Sequence, residues 1–164
     1  MAQFNHEQYQ TKQRKVDLSV TPMMTIIVGT QIHTSYELYL VIEGKRLPTP
    51  TKARQKEYVT GFENISGGIQ RFKLGLHGAG LMHAAMIGYI QKGQPEVWFS
   101  TINGWISELD GTTCSPNCQW SSAERLSEFI EDLVNRVAKS VSRHARAIEG
   151  DTTEILIHHF WISM

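Results

Sequence analysis

Apolar and polar positions alternate most sharply in YELYLVIEGK, residues 36–45. A period of two is the signature of a strand with two distinct faces. Upstream, VDLSVTPMMTIIV at 16–28 predicts a second strand, with Pro22 marking a bulge or an edge because proline donates nothing to a ladder. GTQIHTS, headed by Gly29, predicts the turn that joins the two into a β-hairpin. Residues 3–14 read as a short polar helix ahead of it.

Beyond the breaker PTPTK at 48–52 the period changes. Tyr58, Phe62, Ile65, Ile69, Phe72 and Leu76 recur at alternating spacings of four and three, the stripe of an amphipathic helix. Gly67-Gly68 interrupts it at about 1 kcal/mol per glycine relative to alanine, so a break or kink is expected there. Close packing against a sheet is the favoured reason for the pair. MHAAMIGYIQKG at 82–93 predicts a central strand closed by a turn at Lys92-Gly93. Val97, Ile102, Ile106 and Leu109 predict a helix over 95–109. After a loop at 110–120, Ser121 and Glu124 form a capping-box pattern. Leu126, Phe129, Ile130, Leu133, Val137 and Val141 extend it into a long helix over 121–147. EILIHHFWI predicts a closing strand. The order ββαβ(α)αβ belongs to an α/β domain with a mixed central sheet, flanked by helices and spanning residues 1–164.

The composition, 41% hydrophobic and 20% charged, is that of a globular chain. Lys+Arg equals Asp+Glu, so net charge alone does not point to a polyanionic partner. Basic residues nevertheless gather early, at Lys12–Lys15, Lys45-Arg46 and Lys52, Arg54 and Lys56, while acidic ones gather around 124–132. No apolar run is long enough to span a bilayer, and the N-terminal MAQFNHEQYQ has no secretory pattern, so a cytoplasmic location is expected. Two cysteines, Cys114 and Cys118, do not call for an oxidising compartment.

The candidate chemistry sits at the end of the clearest strand. Period two puts Glu43 and Lys45 side by side on one face. If the hairpin turn centres near residue 31, paired positions sum to about 62 and Asp17 falls opposite Lys45, with a bulge at Pro22 shifting this by a residue. Two carboxylates suit a hard divalent cation, and a nearby lysine can orient water or hold phosphate. A plain strand-end ion pair, worth about 0–1 kcal/mol when exposed, is the structural alternative.

Asp17 and Glu43-Gly44-Lys45 at the end of an apolar strand, followed by GGIQRF and the MIGYI strand, resemble the PD-(D/E)XK superfamily of restriction-endonuclease-like nucleases. RHAR at 143–146 ahead of ILIHHFW adds to the likeness. The resemblance implies a restriction-endonuclease-like fold and Mg²⁺- or Mn²⁺-dependent hydrolysis of nucleic acid, DNA before RNA. It makes Asp17, Glu43 and the Gly44 carbonyl metal ligands, Lys45 the catalytic lysine, and Gln70 or Arg71 a contact to phosphate or metal-bound water. Glu7 is the candidate for an acidic residue from an N-terminal helix. Residue 16 is valine, so the Pro-Asp pair of the pattern is absent. The superfamily also contains members without catalysis, which leaves a binding or assembly module, as in a phage-defence system, as the alternative. A homodimer or a targeting partner protein is compatible with either, and an unrelated small-molecule enzyme would need a deep apolar pocket away from residues 17, 43 and 45.

Other groupings carry less. Cys114 and Cys118 with His144 or the His158-His159 pair lack a second pair of ligands at the spacing of structural zinc. In an apolar strand His158 and His159 face opposite ways, one as a satisfied sheet residue and one at a surface. His144 and Arg146 are expected to favour a helix C-terminus. GLHGAG at 75–80 precedes a strand rather than a helix, which excludes a phosphate loop, and no G-x-S-x-G elbow is present.

Overall fold

The computed structural model describes all residues except 1, 8, 12–13, 16, 29–30, 62–63, 115–116 and 149–152, with backbone only at 9–11, 14–15 and 31. Expectations resting on the Lys12–Lys15 charge run, Val16, Gly29 and Phe62 fall wholly or partly outside the described residues.

The chain opens on three strands, β1 (Ala2–His6), β2 (Tyr9–Thr11) and β3 (Arg14–Lys15), where a helix was expected. β1 pairs antiparallel with β4 (Leu18–Pro22), so this polar segment becomes a sheet edge. The hairpin strand is split. β4 ends at Pro22, and β5 (Ile26–Val28) pairs with β6 (Gln31–His33) as a separate small hairpin. The chain then enters β7 (Leu40–Leu47), which carries Glu43 and Lys45. β4 and β7 are antiparallel with Leu18 opposite Ile42 and Val20 opposite Leu40. Their register is thus two residues tighter than expected: continued by one step, it sets Asp17 level with Glu43 rather than Lys45.

A 3-10 helix (Lys52–Tyr58) and α1 (Gly68–Lys73) replace the continuous helix predicted from Tyr58 onwards. The two glycines explain the break. A Cβ on Gly67 would lie 2.3 Å from Thr60 Cα, so this position needs the bare backbone for packing, and one on Gly68 would press on the end of the Met86 side chain at 2.4 Å. β8 (His83–Ile90) and α2 (Pro95–Glu108) match expectation, and Gly93 supplies the turn between them at φ +90°. A short hairpin of β9 (Thr113–Cys114) and β10 (Cys118–Gln119) places the two cysteines opposite each other.

The long helix expected over 121–147 is not formed. Ser121 caps only a 3-10 turn (Ser122–Glu124), and the rest is an antiparallel pair, β11 (Ser127–Asp132) and β12 (Val137–Ala145). Leu133, expected in the apolar stripe, and its neighbour Val134 occupy the exposed connection at 77% and 91% exposure. The buried face of β12 is Ala138, Ser140, Ser142 and His144, a period-two pattern too polar for a hydrophobic stripe to reveal. His144 and Arg146 therefore do not follow a helix of their own. Arg146 instead donates to the carbonyls of Phe72, Gly78 and Leu81, tying the end of α1 to the following loop. β13 (Glu154–Ser163) closes the chain as expected.

The seven-stranded sheet runs β1-β4-β7-β8-β13-β12-β11, with β7, β8 and β13 parallel at its centre. The protein is mixed α/β with a large mixed sheet and few helices. Its core lies on one face, where Val41, Leu47, Met86, Ile157 and Trp161 meet Ile69 and Phe72 of α1 and Ile102 and Ile106 of α2. The helices thus pack on one side of the sheet rather than flanking both. None of the helices is long and apolar enough to cross a membrane among the described residues.

Candidate functional site

Period two along β7 turns Glu43 and Lys45 toward the helical side. The α1 crossover that makes β7 and β8 parallel carries Arg71 over the same spot. Lys45 Nζ and Arg71 Nη1 both donate to Glu43 Oε1 at 2.8 Å. Glu43 Oε2 faces the imidazole of His77, whose Nδ1 is 3.3 Å away but makes no hydrogen bond among the described residues. Glu43 is only 3% exposed. Burial works to raise its pKa, but the His77 imidazole and the Lys45 ammonium outweigh it and hold the group down at about 2. Glu43 is therefore ionised at neutral pH and surrounded by nitrogen donors.

Asp17 stands just before β4, exposed, and its Oδ2 accepts the Gly44 N–H at 2.6 Å. The side chain thus takes the place of a backbone carbonyl where the β4–β7 ladder ends. Asp17 and Glu43 bracket one peptide unit, but through different partners. Glu7 adjoins them by backbone, its N–H donating to the Asp17 carbonyl at 3.0 Å. Of the two helical candidates only Arg71 reaches the site. Gln70 is fully buried and accepts from Thr60 Oγ1 and the Gly61 N–H, a structural role. His77 was not found from the sequence, because only the return of the loop after α1 brings it beside Glu43.

Two carboxylates with hard oxygen donors suit a divalent cation, and the His77 imidazole adds a nitrogen 3.3 Å from Glu43 Oε2. Among the described residues no group of three or more His, Cys, Asp or Glu side chains is arranged to hold a metal, so Asp17, Glu43 and the Gly44 carbonyl are the donors in question. A cavity of about 330 Å³ lined by His6, Asp17, Gly44, Lys45, Arg46 and Tyr89 opens beside them.

A second polar cluster, missed by sequence reading, runs through the core away from this site. Lys73, with no exposure, binds Glu124 and lies 4.9 Å over the Trp120 ring. Glu124 Oε2 is 3.4 Å from His144 Nδ1. Ser142 Oγ bonds both His144 Nε2 at 2.7 Å and His159 Nε2 at 2.8 Å, and His159 Nδ1 meets Tyr58 OH at 2.9 Å. Burial lowers the pKa of both histidines, that of His159 well below its usual value. His159 is the satisfied sheet histidine, while its neighbour His158 stacks on His83 at the opposite face. Cys114 and Cys118 are buried free thiols, and burial pushes Cys118 up to about 12.

Comparison with known protein families, with curated proteins and with solved structures finds no match.

Proposed function

We propose that the end of β7 is the reaction centre of a metal-dependent nuclease that hydrolyses phosphodiester bonds of nucleic acid, DNA before RNA, on a restriction-endonuclease-like variant of the mixed sheet. The observation that carries this reading is the gathering of Glu43, Lys45 and Arg71 at one oxygen, with Asp17 across the intervening Gly44 peptide.

Asp17, Glu43 and the Gly44 carbonyl would hold Mg²⁺ or Mn²⁺, which when bound supplies an acidified water and neutralises charge on phosphate. The residues themselves divide the remaining work. Glu43 stays ionised across the physiological range and fixes the Lys45 ammonium in place. Lys45, with its side chain 15% exposed, sits where it can hold a phosphate oxygen or orient an attacking water. Arg71, at 26%, offers a planar pair of donors to phosphate. Lys45 and Arg71 balance the charges of Glu43 and Asp17, so a divalent cation held by the carboxylates would leave the spot net positive toward an anionic substrate.

The saturation of Glu43 by cations also supports a second reading, a phosphate-binding module that has no hydrolytic step. Titration of the protein with Mg²⁺ or Mn²⁺, followed by calorimetry and run beside cleavage of supercoiled plasmid, separates the two. Metal binding that Asp17→Asn weakens, with nicking only when metal is present, is the outcome expected of the nuclease. Plasmid binding with neither metal uptake nor nicking would establish the module instead.

A further inference from the structure

The sheet face turned away from the helices bears two aromatic side chains, Tyr89 on β8 and Phe160 on β13, 40% and 37% exposed. Each has an exposed cation directly beside it in the ladder: Arg46 is level with Tyr89, and Lys139 with Phe160. Phe160 is also level with Ile87, two residues before Tyr89, so the two aromatic residues are diagonal neighbours on adjacent strands, roughly 7–8 Å apart.

This face is continuous with the candidate site. The cavity holding Tyr89 and Arg46 is the one that also takes in Asp17, Gly44 and Lys45. A Cβ on Gly44 would lie 3.2 Å from Tyr89 Cε2, so the ring rests on the bare backbone between Glu43 and Lys45. Phe160 and Lys139 line a second cavity of about 280 Å³ on the same face, together with Glu128, Ile130 and His158.

Building on the nucleic-acid reading above, we propose that this face binds single-stranded nucleic acid, with successive bases on Tyr89 and Phe160 and the adjoining phosphates at Arg46 and Lys139. An unpaired base offers a π-face to a protein ring, whereas a duplex keeps its bases stacked inside. A cation beside each ring is what a phosphate-bearing strand requires. The centre of an interface between two copies of a chain is instead depleted of charge. The strand so held passes over Gly44, where the cavity beside Tyr89 also takes in Lys45, whose side chain turns to the helical side.

The test is fluorescence anisotropy in EDTA with a labelled single strand of about 12 nucleotides and with the matching duplex. The single strand is expected to bind at least tenfold more tightly than the duplex. Tyr89→Ala and Phe160→Ala are each expected to raise its Kd roughly tenfold, and Tyr89→Phe to leave it unchanged. Arg46→Gln and Lys139→Gln are each expected to flatten the log–log salt dependence by about 0.7. Equal binding by the alanine variants, or a preference for duplex, overturns the proposal. So does a wild-type dimer, seen by light scattering, that both alanine variants break without any binding of oligonucleotide. The same samples in Mg²⁺ separate this face from the reaction. Single-strand binding without cleavage supports the face and counts against hydrolysis, while cleavage with no single-strand preference overturns the face alone.

Discussion

Arg71 Nη1 donates to Glu43 Oε1 at 2.8 Å, an ion pair that fastens α1 to β7 across 28 residues of sequence. Lys45 shares the same oxygen, and the carboxylate is nearly inaccessible to water. Removing one member of a buried charge cluster leaves the others without compensation. Glu43→Gln is therefore expected to cost on the order of 3 kcal/mol, read as a lowered urea midpoint. Lys45→Met, at a partly exposed position, is expected to cost clearly less.

The acid limb of the stability curve follows from the same carboxylate. Its folded pKa of about 2 lies below the ordinary 4.5, so its contribution is complete above pH 4.5 and is lost as pH falls toward 2. That shift corresponds to about 3 kcal/mol. Urea midpoints measured from pH 5 to pH 2.5 should fall steeply in wild type and more shallowly in Glu43→Gln.

His159 gives a second window. Its folded pKa is held well below 6.5 by burial, so the folded protein keeps it neutral while the unfolded chain takes up a proton below about pH 6.5. Stability is thus full above that value and declines as pH falls from about 6.5 to 5. The decline should be smaller in His159→Asn once its own lower baseline is subtracted.

Tyr58 closes the buried chain through its hydroxyl on His159. Tyr58→Phe keeps the ring and strands one imidazole nitrogen, at an expected cost of about 1–3 kcal/mol by chemical denaturation.

Two glycines should respond with opposite signs. Gly67→Ala forces a Cβ to within 2.3 Å of the Thr60 backbone and is expected to cost at least about 1–3 kcal/mol. Gly104 lies inside α2, where an added Cβ would meet nothing within 4 Å, and its replacement by alanine should gain about 0.5–1 kcal/mol. Thermal unfolding of the two variants checks both.

How much of this was legible in the sequence depended on which residues filled each buried face. β7, β8, β13 and α2 declare themselves because their inward positions include Val41, Met86, Trp161 and Ile102. β12 does not. Its inward Ser142 bonds His144 and His159 and its inward Ser140 donates to the Ser127 carbonyl, a compensation invisible to a pattern of hydrophobic positions, while Val137 and Val141 imitate a helical spacing. At the site, the shared face of Glu43 and Lys45 follows from period two alone, and Arg71 from the helix beyond. The register of Asp17 departs from expectation because residues 23–39 hold a small hairpin of their own rather than a tight turn. His77 arrives through a loop, for which periodicity offers no guide.

The most direct test of the central claim is the rate of Mg²⁺-dependent cleavage of a labelled oligonucleotide by wild type and by Lys45→Met, with folding of both verified by circular dichroism. The nuclease reading predicts metal-dependent cleavage by wild type and a loss on the order of 100-fold or more in the variant, as expected for a group acting on the transferred proton or phosphate. Equal rates in the two proteins, or no cleavage by wild type in either metal across single- and double-stranded substrates, would contradict it.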